Sequence, residues 1–314
     1  MAVIFIDGRE GTTGLRIFER LAGRGDITIL QLPEELRKDP DARRDCLHAC
    51  DIAILCLPDA ASRESVALAE GSRARILDTS TAHRTLDGWA YGFPELSAAR
   101  RAAVINGDHV AVPGCHASGF ISIAAPLVAS GLLTADTPLS CHSLTGYSGG
   151  GRKMIAQYES EDRGIALDSP RPYGLTQQHK HLKEMTAIPG LTQAPIFAPI
   201  VADYYCGMAV TVPLFGCQIR AEHPLEAVRA ALAAHYAGSP VIHVASAEEV
   251  DALGGFIASN ALAGKDSMTL LVTGNDERLQ VVSLFDNLGK GSSGAALQCL
   301  NLMLGCDETL GLNL

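Results

Sequence analysis

A strand, a glycine-rich loop, a helix and a second strand follow one another at the start of the chain, and this unit constrains the fold most. The run AVIFID (residues 2–7) is short, apolar and rich in β-formers, as in a strand buried on both faces. GREGTTG (8–14), LRIFERLAG (15–23) and DITILQLP (26–33) then supply the loop, the helix and the next strand. In such a unit the helix N-terminus carries a pyrophosphate, so the pattern predicts a nucleotide-binding α/β domain.

The glycine loop contains the residue types that this role needs. Gly8, Gly11 and Gly14 let the backbone turn tightly and approach phosphates, while Thr12 and Thr13 can donate hydroxyl hydrogens. The spacing is G-x-x-G-x-x-G rather than G-x-G-x-x-G, so a glycine-rich turn without a ligand is the alternative. The position of the loop between a strand and a helix favours the nucleotide.

The end of the second strand favours NADP over NAD. Sites that prefer NAD place Asp or Glu there to hold the ribose hydroxyls. Here the strand ends in Gln31-Leu32-Pro33, and two cations, Arg37 and Lys38, follow.

Strands and helices continue to alternate up to residue 114. DIAILCLP (51–58), ARILDTS (74–80) and HVAVPG (109–114) are predicted strands, and AASRESVALAEG (60–71) is a predicted helix. In the first helix, Leu15, Phe18, Leu21 and Ala22 are expected on the buried face. The alternation predicts a doubly wound parallel sheet with ligands at its carboxyl ends. Residues at or just after such ends are Asp78, Ser80, Arg84 and Cys115.

The stretch AVPGCHASGF (111–120) leaves open whether Cys115 is a packed hydrophobe or a nucleophile. Unpaired cysteine is among the most buried residue types. From His116 onward, apolar residues recur at helical spacing, with Pro126 expected to kink or divide the helix. Cys115 would then begin a helix, where backbone N–H groups and the dipole stabilise a thiolate and an oxyanion. Beside a nicotinamide, such a thiolate suggests reduction of an acyl group held as a thioester.

This chemistry needs an acid/base and a site for a phosphate leaving group. HKHLKEM (179–185) offers His179 and His181 as the acid/base, against the alternatives of surface histidines or a zinc pair lacking a third ligand. Arg152 and Lys153, after a run of glycines, are candidates to bind the phosphate, as is Arg84. A solvated helix start is the alternative for Arg152 and Lys153. We expect no metal.

Composition narrows the class of protein. The chain has 314 residues, which suggests two domains, and its net charge of −10 argues against nucleic acid or an anionic membrane as partners. The longest apolar stretch is interrupted by Pro126 and Gly131, and no signal peptide is evident, so we expect a cytoplasmic protein. The nine scattered cysteines are typical of reduced thiols.

The second half mixes strands and helices less regularly. AVTVPLFGCQIRA (209–221) and SMTLLVTGNDERLQVVSLF (267–285) read as strands of a mostly antiparallel sheet. The segment 292–305 is predicted to form a helix capped by Ser292 or Ser293 and ended by Gly305.

Several of these motifs, in this order, resemble the short form of the N-acetyl-gamma-glutamyl-phosphate reductases. The resemblance is carried by FIDGREGTTGL, LDTSTAHR, VPGCHASGF, GYSGGGRK, HKHLKEM and FDNLGKGSSGAALQCLNLM. Long-form members have Tyr-Pro-Thr after the cysteine, whereas this chain has His116-Ala117-Ser118. Lys183 stands where the family usually has proline, which adds a cation near the expected substrate site.

The resemblance implies a site residue by residue. Cys115 would form the thioester, and His179, with His181 as the alternative, would be the acid/base. The expected cofactor-binding residues are Gly8, Arg9, Gly11, Thr12, Thr13, Gly14, Ser80, Ser148, Gly149 and Asn287.

The resemblance also implies an architecture and an activity. A Rossmann domain over 1–114, completed by a C-terminal helix within 287–314, would bind NADP, and an α+β domain over 115–286 would carry catalysis and the interface of a homodimer or homotetramer. The implied reaction is NADPH-dependent reduction of N-acetyl-gamma-glutamyl phosphate in arginine biosynthesis. The alternatives are reduction of an aspartyl or carrier-linked acyl phosphate, a non-catalytic NADP sensor, and a hydrolytic Cys-His enzyme.

Overall fold

The computed structural model describes residues 1–8 and 11–314, which separate into two compact units. The first unit comprises Met1–Pro113 and Ser292–Leu312, and the second comprises Gly114–Gly291 and Asn313–Leu314. Assigning NADP binding to one and catalysis to the other stays a prediction. Within the described ranges, no helix combines the length and hydropathy needed to cross a membrane.

The first unit contains the predicted doubly wound sheet. Its six strands pair in the order β2-β1-β3-β4-β6-β5, and every pairing is parallel. The strands are β1 (Ala2–Asp7), β2 (Ile27–Leu30), β3 (Ile52–Leu55), β4 (Arg75–Asp78), β5 (Ala90–Tyr91) and β6 (His109–Ala111). The helices between them are α1 (Thr12–Leu21), α2 (Pro40–Ala49), α3 (Asp59–Leu68) and α4 (Ala98–Asn106).

Both faces of this sheet are covered, which explains why its strands are continuous apolar runs. Ile4 and Ile6 of β1 belong to one hydrophobic cluster, whereas Phe5 between them belongs to another. Alternate residues of a strand point to opposite faces, so the two clusters lie on opposite sides of the sheet. The strand ends at the sheet's carboxyl edge are thereby held in fixed register.

The buried face of α1 differs from the predicted one. Ile17 and Leu21 are buried, whereas Leu15 is 39% exposed and Ala22 is also exposed. Ile17 and Leu21 are four residues apart and so share the inner stripe of the helix, with Phe18 at its border. Of the four residues predicted on the buried face, Leu21 is buried and Phe18 is half-buried, whereas the buried Ile17 was not among them.

The second unit contains a seven-stranded mixed sheet in the order β11-β12-β13-β10-β7-β9-β8. Four of its pairings are antiparallel and two are parallel, which confirms the predicted mostly antiparallel sheet. The strands are β7 (Ser140–Gly146), β8 (Arg171–Pro172), β9 (Ile196–Ala202), β10 (Met208–Phe215), β11 (Ile242–Val244), β12 (Met268–Gly274) and β13 (Arg278–Phe285). The helices are α5 (Cys115–Ala129), α6 (Gly151–Tyr158), α7 (Leu182–Ala187), α8 (Pro224–His235) and α9 (Ala247–Asp251).

Helix α5 runs through Pro126 without dividing, contrary to one of the two predicted outcomes. Proline has no N–H, so the carbonyl oxygen of Ser122, four residues earlier, lacks its helical donor. The hydroxyl of Tyr236 donates a 2.8 Å hydrogen bond to that oxygen instead. A tertiary contact thus satisfies the group that the proline leaves open, and the helix continues.

The last helix, α10 (Gly294–Leu304), returns to the first unit and is buried on every side along most of its length. Its predicted serine cap is wrong, because Ser293 precedes the helix with helical dihedrals and makes no side-chain capping bond. A π-helical turn, Gly289–Ser293, leads into α10 instead. The predicted end is confirmed, since Gly305 adopts the left-handed conformation of a helix C-cap.

Candidate active site

A cavity of 430 Å³ opens at the carboxyl ends of the first three strands of the parallel sheet. Such an edge, where the strand order reverses around β1, is where ligands bind in doubly wound folds. The cavity is lined by Phe5, Ile6, Asp7, Gly8, Gly11, Ile29, Leu30, Gln31, Leu32, Glu34, Arg37, Lys38, Arg43, Cys56, Leu57 and Pro58.

Gly8 lines this cavity at a position where no residue with a side chain fits. Its φ is +86°, and an added Cβ would lie 2.4 Å from the carbonyl oxygen of Cys56. The chain therefore turns closely past the end of β3 before α1 begins, as a loop that admits a pyrophosphate must. Gly11 also lines the cavity and is the N-cap of α1. Gly14 is buried in the first turn of that helix.

The remaining loop residues are less defined. The hydroxyl of Thr13 lies 3.2 Å from that of Ser292, within the same unit. Arg9 lies outside the residues that the structure describes, and Thr12 is placed only as the first residue of α1.

The charges around the cavity suit a phosphorylated ribose. Arg37 and Lys38 line it, and Gln31 stands where an NAD site would place an acid. A third cation, Arg43, is buried and already paired, since its guanidinium donates to the carboxylate of Asp7 at 3.1 and 3.2 Å. Among the described residues Arg37 has only an exposed pairing with Glu34, at 3.4 Å, so Arg37 and Lys38 are the cations that a bound phosphate can recruit.

Ser80 and Arg84, predicted to touch cofactor and substrate, make internal contacts. The Ser80 hydroxyl donates to the carboxylate of Asp78 at 2.6 Å. The Arg84 guanidinium donates to the carbonyl oxygens of Val112, at 2.8 Å, and Thr79, at 3.1 Å. Both residues therefore hold strand-end loops in place, and their ligand-binding roles stay predictions.

In the second unit, Cys115 is half-buried and is the first residue of α5. Gly114 is the extended N-cap, so the N–H groups of the first turn have no helical partners. The buried carboxylate of Glu184 accepts the Gly114 N–H at 3.2 Å, which fixes the turn into the helix. The backbone of Gly291 also approaches closely, because an added Cβ there would lie 3.0 Å from Cβ of Cys115.

Three histidines cluster next to this helix start. The ring centroids of His179 and His181 are 4.7 Å apart, and each lies within 6 Å of the His116 ring, at 5.8 and 5.6 Å. His179, His181 and His116 therefore come together. The sequence predicted a role at the site for His179 and His181, but not for His116. In 1–8 and 11–314, no group of three potential ligands converges as a metal site.

The protonation of His179 is set by its surroundings. Burial, with a smaller contribution from Lys180, lowers the pKa of the imidazole below its usual value. Nδ1 accepts the backbone N–H of His181 at 3.2 Å, so the neutral ring carries its proton on Nε2. His179 is thus a neutral donor at neutral pH.

Sequence reasoning missed a second layer around His116. Its Nδ1 lies 2.6 Å from the hydroxyl of Ser143, and its Nε2 lies 2.6 Å from the hydroxyl of Tyr173. Burial, helped by nearby His179, lowers the pKa of His116 to about 3. Burial and the charge of Cys115 raise the pKa of Tyr173, which therefore stays a phenol. The adjacency of His116 to the cysteine was the available signal.

Three of the predicted cofactor residues come together in the second unit. The side-chain N–H of Asn287 donates to the hydroxyl of Ser148 at 3.0 Å, and its oxygen accepts the Gly207 N–H at 2.9 Å. Gly149 lies against the same amide. Arg152 and Lys153 lie nearby in sequence, exposed in the first turn of α6.

Two family models match the chain. Residues 6–103 match "Semialdehyde dehydrogenase, NAD binding domain", and residues 115–287 match "Semialdehyde dehydrogenase, dimerisation domain". Two curated relatives bear the name N-acetyl-gamma-glutamyl-phosphate reductase. The one from Sinorhizobium medicae is 46% identical over 96% of this chain and 98% of its own, and the one from Brucella ovis is 47% identical with the same coverage.

Solved structures of aspartate semialdehyde dehydrogenases share the fold. The Francisella tularensis enzyme superposes with a TM-score of 0.72, covering 97% of this chain and 100% of its own. Enzyme II from Vibrio cholerae, in complex with ASA, gives 0.71 with coverage of 97% and 98%. Both are 14% identical to this chain, a level at which the likeness concerns the fold alone.

Proposed function

The chain belongs to the N-acetyl-gamma-glutamyl-phosphate reductases of the semialdehyde dehydrogenase family, and from that premise we propose how its residues act. The reaction is NADPH-dependent reduction of N-acetyl-gamma-glutamyl phosphate to N-acetylglutamate semialdehyde and phosphate, a step of arginine biosynthesis. The observation that supports this mechanism best is a cysteine at the first turn of a helix beside a cluster of buried and half-buried histidines.

The first step forms a thioester on Cys115. Its thiolate attacks the carbonyl carbon of the acyl phosphate, a C–S bond forms, and the C–O bond to phosphate breaks as phosphate leaves. N–H groups at the start of α5 stabilise both the thiolate and the oxyanion of this step. Glu184 keeps the turn in place by holding the Gly114 N–H.

The second step reduces the thioester. NADPH, when bound, would supply the hydride that reduces the thioester carbon. His179, with its proton on Nε2, donates a hydrogen bond to the oxygen that becomes negative. As the C–S bond breaks, that oxygen re-forms a carbonyl, the semialdehyde leaves and the sulfur returns to the thiolate. His181, whose ring is 4.7 Å away, is the alternative for this role.

NADP fits the residues of the first unit. Gly8, Gly11, Thr13 and Gly14, with Arg9 and Thr12, would hold the pyrophosphate, and Arg37 and Lys38 would pair with the 2′-phosphate. Ser80, Ser148, Gly149 and Asn287 are the proposed contacts on the nicotinamide side. In this scheme residues 1–114 and the C-terminal helix bind NADP, and 115–286 carry out catalysis.

The phosphate of the substrate needs cations, and Arg152 and Lys153 are exposed in the first turn of a helix preceded by glycines. Arg84 stays a third candidate, although two of its donor nitrogens serve backbone carbonyls. The match to a dimerisation domain supports a homodimer or homotetramer, and we propose that the enzyme acts in the cytoplasm.

The test runs the reaction backwards. N-acetylglutamate semialdehyde and NADP are mixed with the enzyme, with and without inorganic phosphate, and NADPH is followed by absorbance. We expect NADPH formation that depends on phosphate, because phosphate must release the acyl group from the thioester. Aspartate semialdehyde, run in parallel, distinguishes the substrate from its nearest rival.

The matched control is Cys115→Ser, which is expected to bind NADPH and to produce none. Turnover by this variant at the wild-type rate would refute the thioester. Protein that binds NADPH but is silent with both semialdehydes would leave the sensor alternative. His179→Asn and His181→Asn, assayed in the same way, identify the acid/base by which of them loses more activity.

A further inference from the structure

Asp7, the last residue of β1, lines the cavity of the first unit with a carboxylate that the protein holds by one oxygen. The residue is 4% exposed. Its Oδ2 accepts hydrogen bonds from the hydroxyl of Ser65, at 2.6 Å, and from Nε and Nη2 of Arg43, at 3.2 and 3.1 Å. Arg43 lies on α2 and Ser65 on α3, so two helices of the same unit fix the orientation of the carboxylate.

The other oxygen of Asp7, Oδ1, accepts no hydrogen bond from the described parts of the chain. It is not enclosed by protein atoms, so it is reached from the cavity that Asp7 lines. A ligand that fills the cavity displaces water from this oxygen and must replace that water with a donor of its own, because a desolvated charge without a donor is costly. Oδ1 is therefore an acceptor that the ligand is expected to satisfy.

The charge around Oδ1 determines what kind of group can approach it. Arg43 also donates to the carboxylate of Glu64, at 2.9 Å, so one guanidinium serves two carboxylates and the group carries net negative charge. A phosphate placed against Oδ1 would be repelled. A neutral donor fits instead, since hydrogen bonds to an ionised acceptor are stronger than those between neutral groups.

The neighbours of Asp7 indicate which donor of NADP this is. Gly8, the next residue, belongs to the proposed pyrophosphate loop, and Arg37 and Lys38, the proposed partners of the 2′-phosphate, line the same cavity. The adenosine ribose joins these two phosphate positions, and its remaining donor is the 3′-hydroxyl. Sites for NAD hold ribose hydroxyls with an acid at the end of the second strand, but here Gln31 follows β2.

We propose that Asp7 is a cofactor-binding residue, whose Oδ1 accepts a hydrogen bond from the 3′-hydroxyl of the adenosine ribose of NADP. Arg43 and Ser65 are positioning residues, because they hold Oδ2 and so leave Oδ1 facing the cavity. The assignment rests on the proposed binding of NADP in this cavity, and it moves the acid that recognises the ribose from the end of the second strand to the end of the first.

Titration calorimetry of the full-length protein with NADP and with its 3′-deoxy analogue tests this contact. The two ligands carry the same charge, so a change in the charge of the site affects both Kd values alike and leaves their ratio unchanged. The wild type should bind the 3′-deoxy analogue about tenfold to a hundredfold more weakly than NADP, the effect of one hydrogen bond to a charged group. In Asp7→Ala the two ligands should bind equally.

Two further variants complete the test. Asp7→Asn keeps an oxygen for Arg43 and Ser65 but offers an amide N–H in place of the charged acceptor, so its ratio should fall to about threefold. This variant decides the outcome should Asp7→Ala fail to fold. The matched control is Asp41→Ala, which removes a carboxylate that is 86% exposed on α2 and should keep the wild-type ratio.

Equal Kd values for the two ligands in the wild type, or a wild-type ratio in Asp7→Asn, would overturn the assignment. So would a penalty that follows the adenine amino group instead: the deamino analogue of NADP would then bind weakly to the wild type and as well as NADP to Asp7→Ala. A wild type that binds neither NADP nor its 3′-deoxy analogue would contradict the proposed function itself, and the role of Asp7 with it.

Discussion

At the scale of single residues, the buried imidazole of His116 makes stability depend on pH. Its pKa is about 3 in the folded protein, against a usual value of about 6.5, so below pH 6.5 the unfolded chain binds a proton that the folded chain does not. The free energy of unfolding should therefore fall as pH falls from about 6.5 toward 3, by about 1.4 kcal/mol per unit for this one proton. Above pH 6.5 this group should contribute no pH dependence.

Urea unfolding of the wild type and of His116→Gln between pH 7 and 4 measures this effect. Carboxylates titrate in both proteins, so the difference between the two free energies isolates His116. That difference should change steadily with pH below 6.5. A constant difference would mean that His116 protonates in the folded state as readily as in the unfolded chain.

Residue chemistry could be predicted from the sequence where it depended on neighbours along the chain. Cys115 stands after a Pro-Gly turn and before helical periodicity, and the structure begins a helix at that residue. The contacts of His116 depend on partners 27 and 57 positions away, which no local pattern indicates. Arg84 is a different case: its place at a strand end suggested a ligand, two of its donors serve the backbone, and its ligand-binding role stays a prediction.

At the scale of elements, the loop that carries His179 is anchored by Gln177. Its amide donates to the carbonyl oxygen of Phe197 at 2.8 Å and accepts the N–H of the same residue at 2.9 Å. Gln177 has a φ of +55°, and in the described part of the chain it is the one non-glycine residue in that region. Holding such a conformation costs about 1 kcal/mol, which indicates that the two contacts with β9 determine the path of the loop.

We expect Gln177→Ala to lower kcat about tenfold, because His179 and Tyr173 flank this anchor and small displacements of catalytic groups are costly. KM for NADP should change little, since the variant touches no residue of the cofactor cavity. The matched control is Gln178→Ala, which removes an exposed neighbour of the same type. Equal kcat values for the two variants would show that the anchor does not position the site.

The strands and helices themselves could be predicted where a single hydrophobic pattern dominated a segment of the sequence. Continuous apolar runs identified β1, β3 and β4, because a sheet covered on both faces leaves no polar side. The start of α10 was not predictable, since a serine before a helix usually caps it, whereas here a π-helical turn leads into the helix. That turn contains Gly291, which packs on Cys115. The start of the helix therefore depends on a tertiary contact at the site, which local capping preferences do not predict.

At the scale of the whole molecule, the proposed homodimer or homotetramer makes one face of the second unit's sheet a candidate interface. Ile196, Ala198 and Ile200 alternate along β9 with buried residues. Ile196 is 68% exposed, and the other two are half-buried. Leu144, on the neighbouring strand β7, is also half-buried and pairs with Ile200. We call these four residues the open sheet face. Apolar side chains in a row on one face are typical of an interface, and this unit matches a dimerisation domain.

If this face forms the proposed interface, Ile200→Glu should convert the oligomer to a monomer, because a carboxylate at the centre of an apolar interface would be buried without a partner. In the isolated chain Ile200 is only half-buried, so the substituted side chain can reach water and the fold should persist. Ile165→Glu is the control, since Ile165 is 87% exposed on a turn outside the sheet and its variant should keep the wild-type mass.

Sedimentation velocity at several concentrations decides the outcome. A monomeric wild type, or equal masses for the two variants, would place any interface elsewhere. A monomeric Ile200→Glu that still produces NADPH in the reverse assay would show that one chain carries a complete site.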